Sequence, residues 1–356
     1  MPLGNPFPES QRDIVDLRSD TVTRPTQEMY EAMLAAPLGD DVLEDDPTVT
    51  ALEELAADLM GKEAAMLVPS GTMGNQIAIA CHTKPGEAIL VEEDAHVLLY
   101  EVGAPAVLSN VVTWTLTSDK GVMAPDTIRH RIQKGTLHTP RTTLLCIENT
   151  HNRAGGTVVP LSHMEAYRGL ANEAGINIHL DGARVFNAAA ALEVPVGEIT
   201  QHVDTVNFCL SKGLASPIGS VLCGPKNFIQ KARVWRKRLG GGMRQAGLLA
   251  ACGIVSLKTM TARLADDHRR ARALAAALDE LPGIDIDWDT VQTNMVFARV
   301  DASAEEWVTK LHDLGVWILA PGPNVLRLVF HADVNDAKLE KAKDAFSQVS
   351  ATVSCF

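Results

Sequence analysis

Apolar and polar positions change rhythm along the chain, and the changes mark its organisation. From about 64 to 224, short apolar runs alternate with segments of helical spacing. AAMLVP, EAILVE, TTLLCIEN, GINIHLD, TVNFCLS and SVLCG read as strands, several of them apolar on both faces, with helices over 72–82 and 162–174. Strands buried on both faces and separated by helices predict a mostly parallel sheet in an α/β layer fold. Upstream, Met29, Ala32 and Met33 mark a helix after Pro25. A second helix starts at Asp46-Pro47, an N-cap followed by proline at the first helical position. The first dozen residues, with three prolines, read as a loose arm.

The run Gly240-Gly241-Gly242 interrupts this regime, and a long helical stretch follows from about 244 to 279. Beyond it the style changes. Ile284–Val300 suggests a strand, 303–314 a helix, Val316–Leu319 and Val325–Phe330 a hairpin around Pro321-Gly322-Pro323, and 335–349 a final helix. The predicted division is an N-terminal arm with a large α/β domain over 1–255 and a small α+β domain over 256–356. No internal repeat or low-complexity segment is present.

Composition narrows the function classes. A chain of 356 residues with 46% hydrophobic and 21% charged residues suits a folded enzyme of about two domains. With 32 basic against 44 acidic side chains, the net charge of −12 repels phosphate backbones, so no nucleic-acid partner is expected. No stretch approaches twenty clean apolar residues, so no membrane partner is expected. The N-terminus lacks the basic-then-apolar pattern of a secretory signal. Cys81, Cys146, Cys209, Cys223, Cys252 and Cys355 are scattered, without zinc-ligand spacing, so no metal site is predicted. Thiols in apolar runs fit a reducing, cytoplasmic setting. The acidic cluster Asp40, Asp41, Glu44, Asp45 and Asp46 reads as a solvated loop plus a helix start.

In an open α/β sheet, ligands bind beyond the carboxyl ends of the strands, and four such places carry chemistry. Ser70-Gly71-Thr72, opening a helix, is either a good turn or a phosphate cradle of free backbone N–H groups. Asp181 closes an apolar strand and needs a cation: Arg184 in an ion pair, or a protonated ring nitrogen. Lys212, in Ser211-Lys212-Gly213, either reaches water or is a desolvated Schiff-base amine. Arg327, inside Val325–Phe330, requires a carboxylate, from a distant acid or from a ligand. Together these are the handles that pyridoxal phosphate (PLP) and an amino acid need.

At these residues the sequence resembles the threonine aldolases of the fold-type-I PLP enzymes, within the wider β-eliminating-lyase group. The resemblance runs through Asp16–Pro25, Gly39-Asp40-Asp41-Val42, Pro69–Gln76, Glu148–Asn152, Asp181–Ala188, Cys209–Leu214, Gly240–Gly247 and Thr293-Asn294-Met295, and ends near Arg327-Leu328-Val329. It implies that Lys212 carries the cofactor, Asp181 partners its ring nitrogen, and Ser70, Gly71 and Thr72 hold its phosphate. It further implies that His96 stacks on the ring and that Ser19, Arg184 and Arg327 clamp the substrate carboxylate. Lys237 and Arg244 resemble residues supplied to a neighbouring subunit, so a homotetramer built as a dimer of dimers is expected. The implied reaction is cleavage of L-threonine or L-allo-threonine to glycine and acetaldehyde, with His96, His138 or a water on the cofactor phosphate as proton acceptor. Another PLP-dependent reaction on the same scaffold, such as β-elimination, is the alternative. A nucleotide binder is disfavoured, because no G-x-G-x-x-G follows the first strand and no Walker lysine exists. The chain departs from the family pattern at Leu43-Glu44, where Tyr-Gly is usual, and between His96 and Tyr100, where aliphatic residues replace aromatics.

Overall fold

A computed structural model describes residues 13–353; the proline-rich arm and Cys355 lie outside the described residues. The chain separates into two compact units, Arg24–Leu264 and a smaller one that joins residues 13–23 to the stretch from Ala265 onward. This differs from a division at 255/256 with the N-terminal segment in the large domain. The reason is backbone pairing: β1 (Val15–Asp16) lies parallel to β11 (Val316–Trp317), Val15 opposite Val316.

The larger unit is built on seven strands: β2 (Ala64–Val68), β3 (Ala88–Glu92), β4 (Val112–Leu116), β5 (Thr142–Glu148), β6 (Asn177–Asp181), β7 (Thr205–Cys209) and β8 (Ser220–Gly224). Their order is β2-β8-β7-β6-β5-β3-β4. The pairs from β7 through β4 are parallel, and only β8 runs against its neighbours. The mostly parallel sheet is therefore as expected, with one strand not foreseen. β4, sequence VTWTL, is an edge strand with half-exposed Thr and Trp, so it lacks the continuous apolar run of its buried neighbours. Buried residues of the helices pack on the sheet, among them Ile77, Phe228 and Ile229 against Met66, Val68 and Leu222.

Helices form where caps and spacing place them. Thr26 caps Gln27–Ala35, and Ser70 caps Gly71–His82. Asp46 caps Pro47–Met60 by accepting from the Thr48 and Val49 N–H groups, both at 3.0 Å. The acidic cluster is less solvated than expected. Asp46 is buried and also accepts from Gly39 and Gly247 N–H, while Asp41 is buried 2.9 Å from the buried Arg236 guanidinium. Four backbone donors and an arginine replace the water that those carboxylates lose. The helical stretch expected over 244–279 is broken into Gly247–Val255, a π-helical turn at Ser256–Met260, and Leu264–Asp279. Among the described residues no single helix is long and apolar enough to cross a membrane.

The smaller unit carries a four-stranded antiparallel sheet in the order β12-β13-β10-β9, over Leu319–Gly322, Val325–Val329, Met295–Val300 and Ile284–Ile286. The single strand expected over 284–300 is thus a hairpin, because the turn Trp288-Asp289-Thr290, capped by Asp287, splits it. Helices Ala304–Asp313 and Asp336–Ser350 close its core, where Trp307 and Phe346 rings sit 5.8 Å apart.

Candidate active site

Because β2, β3, β5, β6 and β7 share one direction, their carboxyl ends form a single edge, and the chemistry-bearing residues gather there. Glu148, Asp181 and Asn207 are consecutive neighbours across β5, β6 and β7. Lys212 follows β7 in the next turn, half-buried, with its carbonyl accepting from Ala215 N–H at 2.8 Å. Ser70 and Gly71 follow β2, where the Ser70 side chain accepts from Met73 N–H at 3.2 Å. His96 follows β3 and begins the short turn His96–Leu99.

Asp181 is a buried carboxylate held at both oxygens. One accepts from Ala183 N–H at 3.1 Å, the other from the Asn75 amide at 2.7 Å. His96 Nδ1 stands 3.9 Å from it and 3.0 Å from Glu101, whose side chain is fully buried. Burial opposes charge on this imidazole. The Glu101 hydrogen bond and the negative charges of Asp181 and Glu101 outweigh burial and the nearby Lys212, and hold the pKa above its ordinary value. Glu101 is itself fixed by Asn75 at 2.9 Å and Gln76 at 2.6 Å. The His96 backbone N–H donates to Glu148 at 2.6 Å, and Glu148 also accepts from Asn152 N–H. A cavity lined by Asn75, Ala95, Val97, Cys146, His179 and Asp181 lies behind this cluster.

Glycine is required at Gly71 by space. A Cβ there would lie 2.9 Å from Cys209 Sγ and 3.6 Å from Ser220 Oγ. Arg184 is buried and sits at the N-terminus of the Val185–Leu192 helix, three residues after Asp181. Lys237 and Arg244 are exposed; Arg244 donates to Asp40 at 2.9 Å.

His138 sits elsewhere. It is exposed, in a turn preceding β5, with its N–H on Thr136 Oγ at 3.1 Å. The site is at the other end of β5, whose seven residues span roughly 20 Å. Within one chain the structure does not bring His138 to Asp181. A wider groove near the same end, lined by Arg129, Lys134 and Arg141, is crossed by the Arg129–Glu173 ion pair at 2.6 Å and gathers none of the site residues.

Ser19 and Arg327 belong to the smaller unit, which brings them together. Ser19 caps the turn Asp20–Val22, accepting from Thr21 N–H at 3.2 Å. Arg327, half-buried on β13, donates through Nη1 to the Arg18 carbonyl at 3.4 Å.

Comparison with known proteins gives the chain's family. The beta-eliminating lyase family model matches residues 16–301. The chain belongs to that family. Its relatives include the low specificity L-threonine aldolase of Escherichia coli K12, 43% identical over 330 residues, covering 92% of this chain and 96% of the relative. The low-specificity L-threonine aldolase 1 of Arabidopsis thaliana is 40% identical over 347 residues, covering 95% and 97%. Among solved structures, the threonine aldolase of Leishmania major superposes with a TM-score of 0.80 at 19% identity, covering 94% of this chain and 99% of that one. The chain therefore has the fold-type-I architecture of such enzymes, and its large α/β unit carries the sheet edge described above.

The residues that motif reasoning left without a role are Asn75, Gln76, Glu101 and Asn207, all buried and all in the network around Asp181. A signal existed: Asn75-Gln76 precedes the apolar Ile77-Ala78-Ile79 in one helix, and buried amides need partners.

Proposed function

We propose that this protein is a PLP-dependent aldehyde-lyase that cleaves L-threonine or L-allo-threonine to glycine and acetaldehyde. The observation that carries the reading is one sheet edge holding a fixed carboxylate, a lysine amine and a glycine-dependent helix start, in a chain over 40% identical to a named L-threonine aldolase. The residues fit the cofactor on their own terms. Asp181 is a buried carboxylate that accepts hydrogen bonds from two neutral donors, the Asn75 amide and the Ala183 N–H, and it would suit a protonated ring nitrogen. The start of the twelve-residue Gly71–His82 helix offers unpaired N–H groups to a phosphate, beside Ser70 and Thr72. Lys212 supplies the amine for covalent attachment.

PLP, when bound, supplies the electron sink for breaking a bond at the amino acid's Cα. The chain supplies the rest. Asp181, immobilised by Asn75 and Ala183, would be the residue that holds the ring nitrogen. Arg184 in the larger unit, and separately Ser19 and Arg327 in the smaller one, are the groups suited to a substrate carboxylate, and a carboxylate held at a fixed angle would select which Cα bond breaks. His96, with Nδ1 committed to Glu101, exchanges protons through Nε2. Its contacts favour the charged form, so it accepts the β-hydroxyl proton in its neutral fraction, and cleavage speeds up as pH rises through its raised pKa. Lys237 and Arg244 enter the reading as residues contributed by a neighbouring subunit in a homotetramer, and His138, at the far end of β5, is not used as the proton acceptor. A reducing, cytoplasmic setting is supported by the free thiols at Cys81, Cys146, Cys209, Cys223 and Cys252.

The test is direct. Purified protein should be yellow, Lys212→Ala should remove the band after dialysis, and borohydride reduction with peptide mapping should place a pyridoxyl group on Lys212. Incubation with L-allo-threonine should release acetaldehyde. Ammonia or a keto acid in its place refutes the aldolase assignment, and a tag at another lysine refutes the site.

A further inference from the structure

Behind Asp181 a line of polar side chains crosses the larger unit from the end of the Gly71–His82 helix. Four hydrogen bonds connect it: His82 Nε2 to Thr205 Oγ at 2.9 Å, Thr205 Oγ to His179 Nδ1 at 2.9 Å, His179 Nε2 to Asn75 Oδ1 at 3.2 Å, and Asn75 Nδ2 to Asp181 at 2.7 Å. Each direction follows from the last. Asn75 faces two carboxylates, Asp181 and Glu101, which accept, so its amide nitrogen points there and its oxygen points back. Asn207 confirms that orientation: its amide donates to the Gly71 carbonyl at 2.9 Å and to Asn75 Oδ1 at 3.0 Å.

An amide oxygen only accepts, so His179 Nε2 carries the hydrogen. His179 is buried with no carboxylate in hydrogen-bond contact, and burial pushes its pKa down to about 3. Nδ1 is then bare and accepts the one hydrogen bond that the Thr205 hydroxyl can donate. Thr205 Oγ consequently accepts from His82, whose Nε2 bears hydrogen; burial lowers that imidazole to about 4, and its ring stacks on Phe228 at 4.7 Å. The reverse order sets a bare His179 Nε2 against a carbonyl oxygen, two acceptors with nothing between them.

We propose that His82, Thr205 and His179 are positioning residues, a one-way hydrogen-bond chain that ends on Asp181 and holds its carboxylate as the acceptor for the cofactor's ring nitrogen. The inference rests on the PLP reading of the site. Donors aligned in series polarise one another, and the positive end of every link faces the carboxylate. A merely structural histidine needs its hydrogen bonds satisfied but not all in this sense.

The experiment uses full-length, PLP-loaded protein with nitrogen-15 histidine. Long-range proton–nitrogen spectra should show His82 and His179 neutral, each with Nε2 protonated and Nδ1 bare. His179 protonated on Nδ1, or on both nitrogens, overturns the chain. Thr205→Val keeps the shape and cuts two links, and should raise the PLP dissociation constant about five-fold, the effect of one neutral hydrogen bond. Thr205→Ser should restore the wild-type value. Unchanged affinity in Thr205→Val overturns this inference alone, whereas wild-type protein that holds no PLP overturns the site reading beneath it. If Thr205→Val does not fold, the wild-type histidine spectra decide.

Discussion

Glu101 sets the protonation of His96, and Glu101→Gln isolates that effect. The substitution keeps size and shape. It replaces a charged acceptor 3.0 Å from Nδ1 by a neutral one, inside a fully buried contact. Gln76 accommodates the change, since its Oε1 has no hydrogen-bond partner and turning the amide over presents it to the new N–H group. A hydrogen bond to a charged group is worth about 1.5–3 kcal/mol and a neutral one about 0.5–1.5 kcal/mol, and one pH unit is about 1.4 kcal/mol, so the His96 pKa should fall by about one pH unit. Asp181→Asn should lower it less, because the 3.9 Å separation from Nδ1 is electrostatic and not a hydrogen bond. The sign also fixes stability. His96 is raised above 6.5 in the folded protein, so its contribution is complete below 6.5 and disappears as pH climbs through the raised value. In Glu101→Gln that loss comes at lower pH and is smaller. The assay is an NMR titration of the His96 ring in full-length protein dialysed free of PLP. A His96 that titrates at the same pH in wild type and Glu101→Gln would refute the reasoning.

Other perturbations test the framework around the site. Arg236→Ala strands the buried Asp41 carboxylate and removes the donor to the Leu67 carbonyl at 2.7 Å; urea unfolding should show a loss of about 3–5 kcal/mol. The buried Glu92–His151 pair, 2.8 Å apart, lowers the glutamate pKa and raises that of the histidine. Its stabilisation should be fullest between the ordinary values of 4.5 and 6.5, fading as pH falls through the lowered glutamate value or rises through the raised histidine value. A His151→Gln protein with the same pH–stability profile as wild type would contradict this. Mixing inactive Lys212→Ala and Arg244→Ala subunits should restore part of the activity if sites are shared. No recovery after proven subunit exchange would remove Arg244 from the neighbouring site.

Much of the larger unit could be read from the sequence because its strands are apolar on both faces and its helices carry recognisable caps, as at Asp46 and Ser70. Asp181, Lys212 and Ser70–Thr72 stand out in the sequence because each breaks an apolar pattern at a strand end, and the structure sets them along one sheet edge. What was missed has physical reasons. β4 is an edge strand that needs no continuous apolar run, and a capped turn inside 284–300 hides between two buried strands. His138 carries suitable chemistry, but only the sheet's direction reveals that it lies at the amino end of β5. Asn75, Glu101 and His179 meet through contacts between residues 26 to 106 positions apart, which no local pattern encodes.

The parallel pairing of Val15 with Val316 has a consequence for biogenesis. A ribosome releases the N-terminal partner some three hundred codons before its mate exists, so that early segment must wait, unpaired, through nearly all of translation. The unit spanning Arg24–Leu264 needs nothing downstream for its own sheet and can mature while synthesis continues. Arg327 then meets the Arg18 carbonyl, next to Ser19, only at the end, which leaves the smaller unit the last part of the chain to be completed.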